Sequence, residues 1–257
     1  KENAMESLIL HCEDSIDGIF TAIYDGFLYK KKAGGTYQDE IHIQIGDDGQ
    51  NILFARTASV VTDSGKAQKT ADTIRKQLGF SIYEKIVYAL CHYDEARADA
   101  VFGYLVRAFR MGPRIEEMLS DPYVMRVMEL SRKTANECQK LYGFLRFRQL
   151  EQFLYASFEP KCDAIPVILS HFEDRYPNEN FVIYDRRRNY ALVHPAFGKS
   201  FYVRGGEFPK LDFDSLDAYE DLWKIYFRHM EIKERHNEQC QTNLLPKWYR
   251  ADMIEFE

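Results

Sequence analysis

The chain has 257 residues and a formal net charge of −6, with 46% hydrophobic and 29% charged residues. This length allows a sizeable buried core and one or two domains. The composition excludes a disordered or collagen-like chain, and the negative balance disfavours a protein that coats nucleic acid through its overall field. No apolar run approaches the roughly 20 residues that cross a bilayer, and no signal region follows the N-terminus, so we expect a cytoplasmic protein.

Cysteine usage indicates reduced thiols. The five cysteines are scattered without any C-x-x-C pair, which argues against a disulfide framework and against zinc or iron–sulfur ligand spacing. We expect them to pack as small hydrophobic residues, and the sequence indicates no cofactor of its own. Met5 is the first methionine, so the natural chain could start there, with residues 1–4 as the alternative of a native extension.

The first part of the chain, residues 5–143, predicts an α/β unit followed by a helical region. A short buried strand at 8–12 precedes a helix capped by Ser15, and two further β-rich stretches follow at 41–45 and 52–61. From residue 64 onward the apolar spacing is helical throughout. The clearest helix begins after Asp121-Pro122 and ends at Gly143.

The second part, residues 144–257, predicts a C-terminal antiparallel sheet of about five strands packed with helices. Stretches 145–149 and 154–158 form one hairpin, 181–184 and 190–194 form another around a turn at 186–189, and 201–203 adds a fifth strand. A helix capped by Asp163 lies between the hairpins, and a longer helix begins near Ser215. The fold class is therefore predicted to be α+β.

Five clusters of this second part mix arginine, glutamate, histidine and amide side chains with aromatic residues. Ordinary core packing does not require such a mixture, so these clusters are the first place to look for function. In chain order they read FLRF, ASFEP, HFEDRYP, VIYDRRR and IKERHNEQCQTNLLPKWY.

These clusters resemble a bacterial family of uncharacterised proteins assigned to DNA metabolism or repair, whose C-terminal half is a domain of unknown function. The likeness covers nearly the whole chain. It is strongest at Gly143-Phe144-Leu145-Arg146-Phe147, Glu159-Pro160, His171-Phe172 with Arg175, Ile183-Tyr184-Asp185, Leu222-Trp223-Lys224 with Tyr226, Arg235 with Asn237, Gln241, and Pro246-Lys247. Two stretches depart from the family pattern, namely 159–163, where an aspartate is shifted, and 246–250, where the aromatic and basic order differs.

In that family the gene typically lies beside one for a radical SAM protein with a helix-hairpin-helix DNA-binding element. Some relatives are fused to a uracil-DNA glycosylase-like domain. The resemblance therefore implies an accessory protein of DNA repair or modification, which binds DNA, the radical SAM partner, or both.

Several side chains are candidates for nucleic-acid binding, and each has an ordinary alternative. Arg146 could meet a phosphate or pair with Glu159 across its hairpin, and the arginines at 186–188 could grip a backbone or form a solvated turn. The C-terminal run could present amides and a stacking face to an exposed base, or fold back over the domain with its amides as caps. The candidates are Arg146, Arg175, Arg186, Arg187, Arg188, Arg235, Asn237, Gln241, Lys247 and Trp248.

A catalytic alternative rests on Glu159, His171 and Asp185. Imidazole and carboxylate groups suit divalent metals and water activation, so these three could serve a metal-assisted nuclease or a glycosylase-like hydrolase. Their spacing matches no known ligand motif, and a histidine on an apolar helix can equally be a satisfied structural residue. A protein-only scaffold, marked by a large exposed apolar patch, is the third possibility.

Overall fold

The computed structural model describes residues 7–32, 41–46, 55–150, 152–204, 224–226, 229 and 237–256. The chain divides into two compact units, Lys1–Asn136 and Glu137–Glu257, each with its own packing. The division falls inside one long helix. The domain boundary that the sequence predicts near Gly143 lies later in that helix and stays a prediction.

The first unit contains a parallel sheet of three strands with β1 in the centre, flanked by β2 and β3. Its elements are β1 (Ser7–Cys12), α1 (Ile16–Lys32), β2 (Ile41–Ile45), β3 (Ala55–Ser59), α2 (Ser64–Leu78), α3 (Phe80–Leu90), α4 (Arg97–Met111) and a 3-10 turn (Gly112–Glu117). The predicted α/β unit and helical region are both present. The stretches at 41–45 and 55–59 do not pair with each other, because each forms its ladder with β1.

Local sequence explains where the helices of this unit begin. The hydroxyl of Ser15 accepts a hydrogen bond from the backbone N–H of Gly18 (3.0 Å), which satisfies one of the unpaired donors at the start of α1. Asp121 does the same for Tyr123 and Val124 ahead of α5 (Pro122–Phe144). Both predicted helix starts are therefore confirmed.

The second unit contains the end of α5 and a five-stranded sheet in the order β4-β5-β6-β7-β8. Its elements are β4 (Arg148–Leu150), β5 (Phe153–Phe158), α6 (Ile165–Arg175), β6 (Phe181–Asp185), β7 (Tyr190–His194), β8 (Phe201–Arg204), α7 (Glu238–Leu244), α8 (Lys247–Arg250) and a 3-10 turn (Ile254–Phe256). The predicted α+β class and the five strands are confirmed.

One strand pairing differs from the predicted antiparallel arrangement, so the sheet is mixed. β5 and β6 run parallel, whereas the other three neighbouring pairs are antiparallel. The reason is α6, which carries the chain from the end of β5 back to the start of β6 as a crossover. A consequence is that β5 and β6 end at the same edge of the sheet.

Two local expectations in this unit have different outcomes. The β6–β7 hairpin around residues 186–189 is confirmed, with Asn189 in the left-handed region (φ 50°). Asp163 does not cap α6, because Ala164 is the cap residue and the Asp163 carboxylate instead accepts a hydrogen bond from the Tyr190 hydroxyl. The long helix predicted from about Ser215 lies for the most part outside the described residues.

Four of the five cysteines are buried and none forms a disulfide, while Cys240 is exposed. Among the described helices, none combines the length and the apolar content that crossing a bilayer requires.

Two helical glycines provide a matched test of packing. A Cβ built at Gly103 in α4 would overlap the ring of Tyr123, whereas a Cβ at Gly143 in α5 meets no described atom within 4 Å. We expect Gly103→Ala to lower the free energy of unfolding by about 1–3 kcal/mol through overpacking. Gly143→Ala should raise it by about 0.5–1 kcal/mol, because alanine favours the helix. Urea unfolding followed by circular dichroism measures both, and equal effects would contradict the packing of α4.

Candidate nucleic-acid interface

Three polar stretches of the second unit meet where the parallel strands end. In the β5–β6 ladder Phe158 lies opposite Asp185, so the loop at 159–164 and the turn at 186–189 leave the sheet side by side. The C-terminal segment, residues 246–256, contacts both. Three stretches that are distant in sequence therefore form one surface.

The loop after β5 is fixed by a carboxylate on α5. Glu137 is 9% exposed, and its two oxygens accept hydrogen bonds from the backbone N–H groups of Lys161 (2.8 Å) and Cys162 (2.9 Å). Hydrogen bonds to a charged acceptor contribute about 1.5–3 kcal/mol each. This contact sets the direction in which the side chain of Lys161 leaves the loop.

The turn after β6 is organised by Asp185, which is fully buried. One carboxylate oxygen accepts hydrogen bonds from the backbone N–H groups of Arg187 and Arg188, and the other pairs with the guanidinium of Arg188 (2.9 Å). Burial raises the pKa of Asp185, against the opposing effect of Arg188. Arg188 also donates to the carbonyl oxygens of Pro160 and Lys161, so the turn is tied to the loop.

Two more arginines hold the C-terminal segment. Arg186 donates to the Ser157 hydroxyl (3.0 Å) and pairs with Asp252 (2.5 Å). Arg146 pairs with Glu255 (2.7 Å), whose side chain is 2% exposed, and also donates to the Gly143 carbonyl oxygen. The predicted pairing of Arg146 with Glu159 is therefore wrong: Glu255 is the carboxylate that the folded-back chain end brings to this guanidinium.

The aromatic pair of α8 divides between the core and the surface. Tyr249 packs against Phe144 with ring centroids 5.6 Å apart, and burial raises the pKa of its hydroxyl. Trp248 is 41% exposed, and the Nζ of Lys161 lies 5.2 Å from the centroid of its ring. The segment thus folds back over the domain and still presents one large aromatic face.

Three exposed cations belong to the three stretches that form this surface, one to each stretch. Arg187, Lys247 and Lys161 are all exposed, and no described residue accepts a hydrogen bond from any of these three side chains. Arg187 lies between Arg186 and Arg188, which are tied to the C-terminal segment and to the loop. We call Lys161, Arg187, Lys247 and Trp248 the Trp248 patch.

The other predicted binding residues lie elsewhere or act structurally. Arg175 is at the end of α6, toward the opposite edge of the sheet, and its Nε lies 3.2 Å from the Tyr176 hydroxyl. Asn237 caps α7 by accepting a hydrogen bond from the N–H of Cys240 (2.8 Å), and Gln241 is half-buried on that helix. Arg235 falls outside the described residues.

The three catalytic candidates, Glu159, His171 and Asp185, lie in different environments. Glu159 is exposed, Asp185 is bonded to Arg188, and the ring of His171 packs 4.3 Å from that of Tyr142. Within the described ranges, no group of three histidine, cysteine, aspartate or glutamate side chains is placed to hold a metal ion.

The sequence analysis did not identify Glu137 or Lys161. Glu137 joins α5 to the loop at 159–164, and Lys161 joins that loop to Trp248. A detectable signal existed for Glu137, since its position beside Cys138 places a carboxylate at the edge of the apolar face of α5. Such a buried acid requires hydrogen-bond donors. Nothing in the sequence identifies backbone N–H groups of a loop as those donors.

Comparison with known proteins identifies the family. The model of a domain of unknown function, DUF4130, matches residues 95–255, and the chain therefore belongs to the DUF4130 family. A solved structure described as a member of the s1p family of ribosomal proteins, DHH domain, is 10% identical, with a TM-score of 0.33 over 75% of this chain and 74% of the other. That similarity is too low to carry an argument. No curated protein matches the chain in sequence.

The surroundings of Asp163 generate a pH prediction. Burial raises the pKa of this carboxyl, against the opposing effect of its hydrogen bond from Tyr190. In the unfolded chain the Asp163 carboxyl loses its proton at about pH 4, whereas in the folded chain it holds the proton to a higher pH. The free energy of unfolding therefore falls as pH rises from the unfolded pKa to the folded pKa. We expect the free energy of unfolding of Asp163→Asn to increase relative to wild type over that window. Denaturant unfolding at stepped pH measures it, and a pH-independent difference would contradict the assignment.

Proposed function

We propose that this protein is a DNA-binding accessory protein of DNA repair or modification, and that the Trp248 patch contacts the DNA. The observation that carries the proposal is an exposed tryptophan ring with the Nζ of Lys161 5.2 Å from its centroid. On the same surface Arg187 and Lys247 are exposed and form no ion pair with described residues. A base stacks on such a face, while the cations meet the flanking phosphates. One surface would thus bind both the base and the phosphate of a nucleotide.

The arrangement favours an unpaired base over intact duplex. Stacking on an aromatic side chain is available only to a base outside the helical stack, and it contributes about 1–3 kcal/mol per base. One exposed ring accommodates one such base. We therefore propose recognition of a single-stranded or extruded nucleotide, with affinity that depends on salt.

The charge distribution supports a small, directed site. The chain carries a formal net charge of −6, so its overall field repels DNA and a local excess of cations is needed. Arg146, Arg186 and Arg188 are occupied by carboxylates, and their role is to fix the surface. The binding role passes to Lys161, Arg187 and Lys247.

The biological setting comes from the family resemblance. Genes of such proteins typically lie beside a radical SAM protein with a DNA-binding helix-hairpin-helix element, and that neighbour is the proposed partner. Enzymes that do chemistry on a DNA base take that base out of the stack. An accessory protein that holds one unpaired nucleotide would present the DNA to the partner.

Fluorescence anisotropy tests the interface directly. We expect labelled single-stranded DNA to bind more tightly than duplex, and Trp248→Ala to weaken single-strand binding by about 1–3 kcal/mol. Trp248→Phe, which keeps an aromatic face, should retain most of the affinity. Uracil-containing oligonucleotides, measured in parallel, report whether that base is preferred.

A salt series assigns the cations. Lys161→Ala and Arg187→Ala should each reduce the slope of log K against log salt by about 0.7 for single strands. The matched control is Arg175→Ala, which removes an arginine from the opposite edge of the sheet and should leave affinity and slope unchanged. Equal losses in Arg175→Ala and Arg187→Ala would contradict the location of the site.

The partner is tested by repeating the titration with the neighbouring radical SAM protein. We expect a ternary complex in which Trp248→Ala reduces the DNA contribution and leaves protein–protein binding intact. Absence of DNA binding under all conditions, together with binding to the partner, would replace this proposal with a protein-only scaffold.

A further inference from the structure

A cavity of about 500 Å³ opens at the edge of the five-stranded sheet opposite the Trp248 patch. It lies where β7 ends at His194, opposite the first residue of β6, and where α6 ends. Its volume is typical of small-molecule sites. The walls are formed by Leu169, Glu173, Pro177, His194, Phe197, Gly198, Lys199 and Ser200.

Three polar side chains in this wall form one hydrogen-bonded cluster. The Ser200 hydroxyl lies 2.5 Å from Oε1 of Glu173 and 2.9 Å from Nδ1 of His194. Glu173 Oε1 is 3.7 Å from the same imidazole nitrogen. Ser200 therefore bridges a carboxylate and a histidine that is only 5% exposed.

Proton counting fixes the direction of these bonds. The single Ser200 proton goes to the carboxylate, because the hydroxyl–carboxylate distance is the shorter and a carboxylate is the stronger acceptor. His194 must then donate from Nδ1 to the Ser200 oxygen. Its Nε2 is an acceptor in the neutral ring, and no described residue bonds to this buried atom.

This order of groups argues against a serine nucleophile. In an acyl-transfer triad the histidine stands between the serine and the acid and removes the serine proton. Here the serine stands in the middle, and the imidazole nitrogen donates to it. The cluster thus offers the Glu173 carboxylate as an acceptor, and the hydrogen bond from Ser200 holds this carboxylate in position.

The apolar side of the cavity includes an exposed ring in a strained conformation. Phe197 is 84% exposed with φ 59°, a left-handed value that is uncommon for a bulky residue. Hydrogen bonds from its own N–H to the Pro177 carbonyl oxygen and from Gly198 to Pro195 hold this loop in place. Such strain, at about 1–3 kcal/mol, persists at binding sites that use it.

We propose that this cavity binds a small molecule with an aromatic body and an amino group. The ring would pack between Leu169, Pro177 and Phe197, and the amino group would donate to the Glu173 carboxylate, which is 34% exposed on its side chain. The exposed part of the Glu173 carboxylate calls for a donor, and its negative charge opposes an anionic ligand. The site is separate from the Trp248 patch and does not depend on DNA binding.

Saturation-transfer NMR with 2-phenylethylamine as the probe tests this proposal on the full chain. 3-Phenylpropionate, a charge-reversed molecule of similar size, is the matched ligand control. We expect transfer to the ring protons of the amine, little transfer to the carboxylate, and an affinity loss of about tenfold or more in Glu173→Gln. Lys199→Met removes the cation of the wall and should strengthen amine binding, because the ammonium of the probe and the Lys199 side chain repel each other.

Two results would overturn the proposal: no binding of the amine, or preferential binding of 3-phenylpropionate that Lys199→Met abolishes. Circular dichroism of each variant confirms folding. Long-range ¹H–¹⁵N correlation of the His194 ring supplies a second readout that needs no variant. It should show a proton on Nδ1, and the ring nitrogen resonances should shift when 2-phenylethylamine is added, while a ring protonated only on Nε2 would contradict the assigned bond direction.

Discussion

The buried carboxylate of Asp185 organises the edge of the sheet on which the proposed interface stands. It accepts the backbone N–H groups of its own turn and the guanidinium of Arg188, which in turn binds two carbonyl oxygens of the loop after β5. A buried charge is stable only when it is paired and hydrogen-bonded. Removing Asp185 would leave the Arg188 guanidinium without its carboxylate partner. The turn at 186–189 would then lose its attachment to the loop at 159–164.

Three arginines of the clusters are structural, because each pairs with a carboxylate that fixes this surface. Arg146 and Arg186 neutralise carboxylates of the C-terminal segment, and they attach that segment to the sheet. The segment can therefore turn Tyr249 inward and leave Trp248 outward on a helix of one turn. Rigid support of this kind limits the conformational entropy that a binding side chain loses on contact with a ligand.

Periodicity was enough to predict the α+β class, the five strands and the helix after Asp121, because each depends on local apolar spacing. It could not predict the parallel pairing of β5 with β6, since strand direction depends on the path of α6 through space. The carboxylate that the sequence offered as an alternative partner for Arg146 was Glu159, which is near along the hairpin, whereas the observed partner Glu255 is distant in sequence. Among the exposed cations of the interface, Arg187 and Lys247 were candidates from the sequence. Lys161 became a candidate only through its position over the Trp248 ring.

The central claim is that Trp248 itself meets a base, and its own fluorescence tests this most directly. The sequence has two tryptophans, so Trp223→Phe leaves Trp248 as the only emitter. Titration with oligo(dT) should quench this emission with the same dissociation constant that anisotropy gives, because stacking places a base against the indole. Binding of the oligonucleotide without any change in Trp248 emission would contradict the account and move the interface elsewhere.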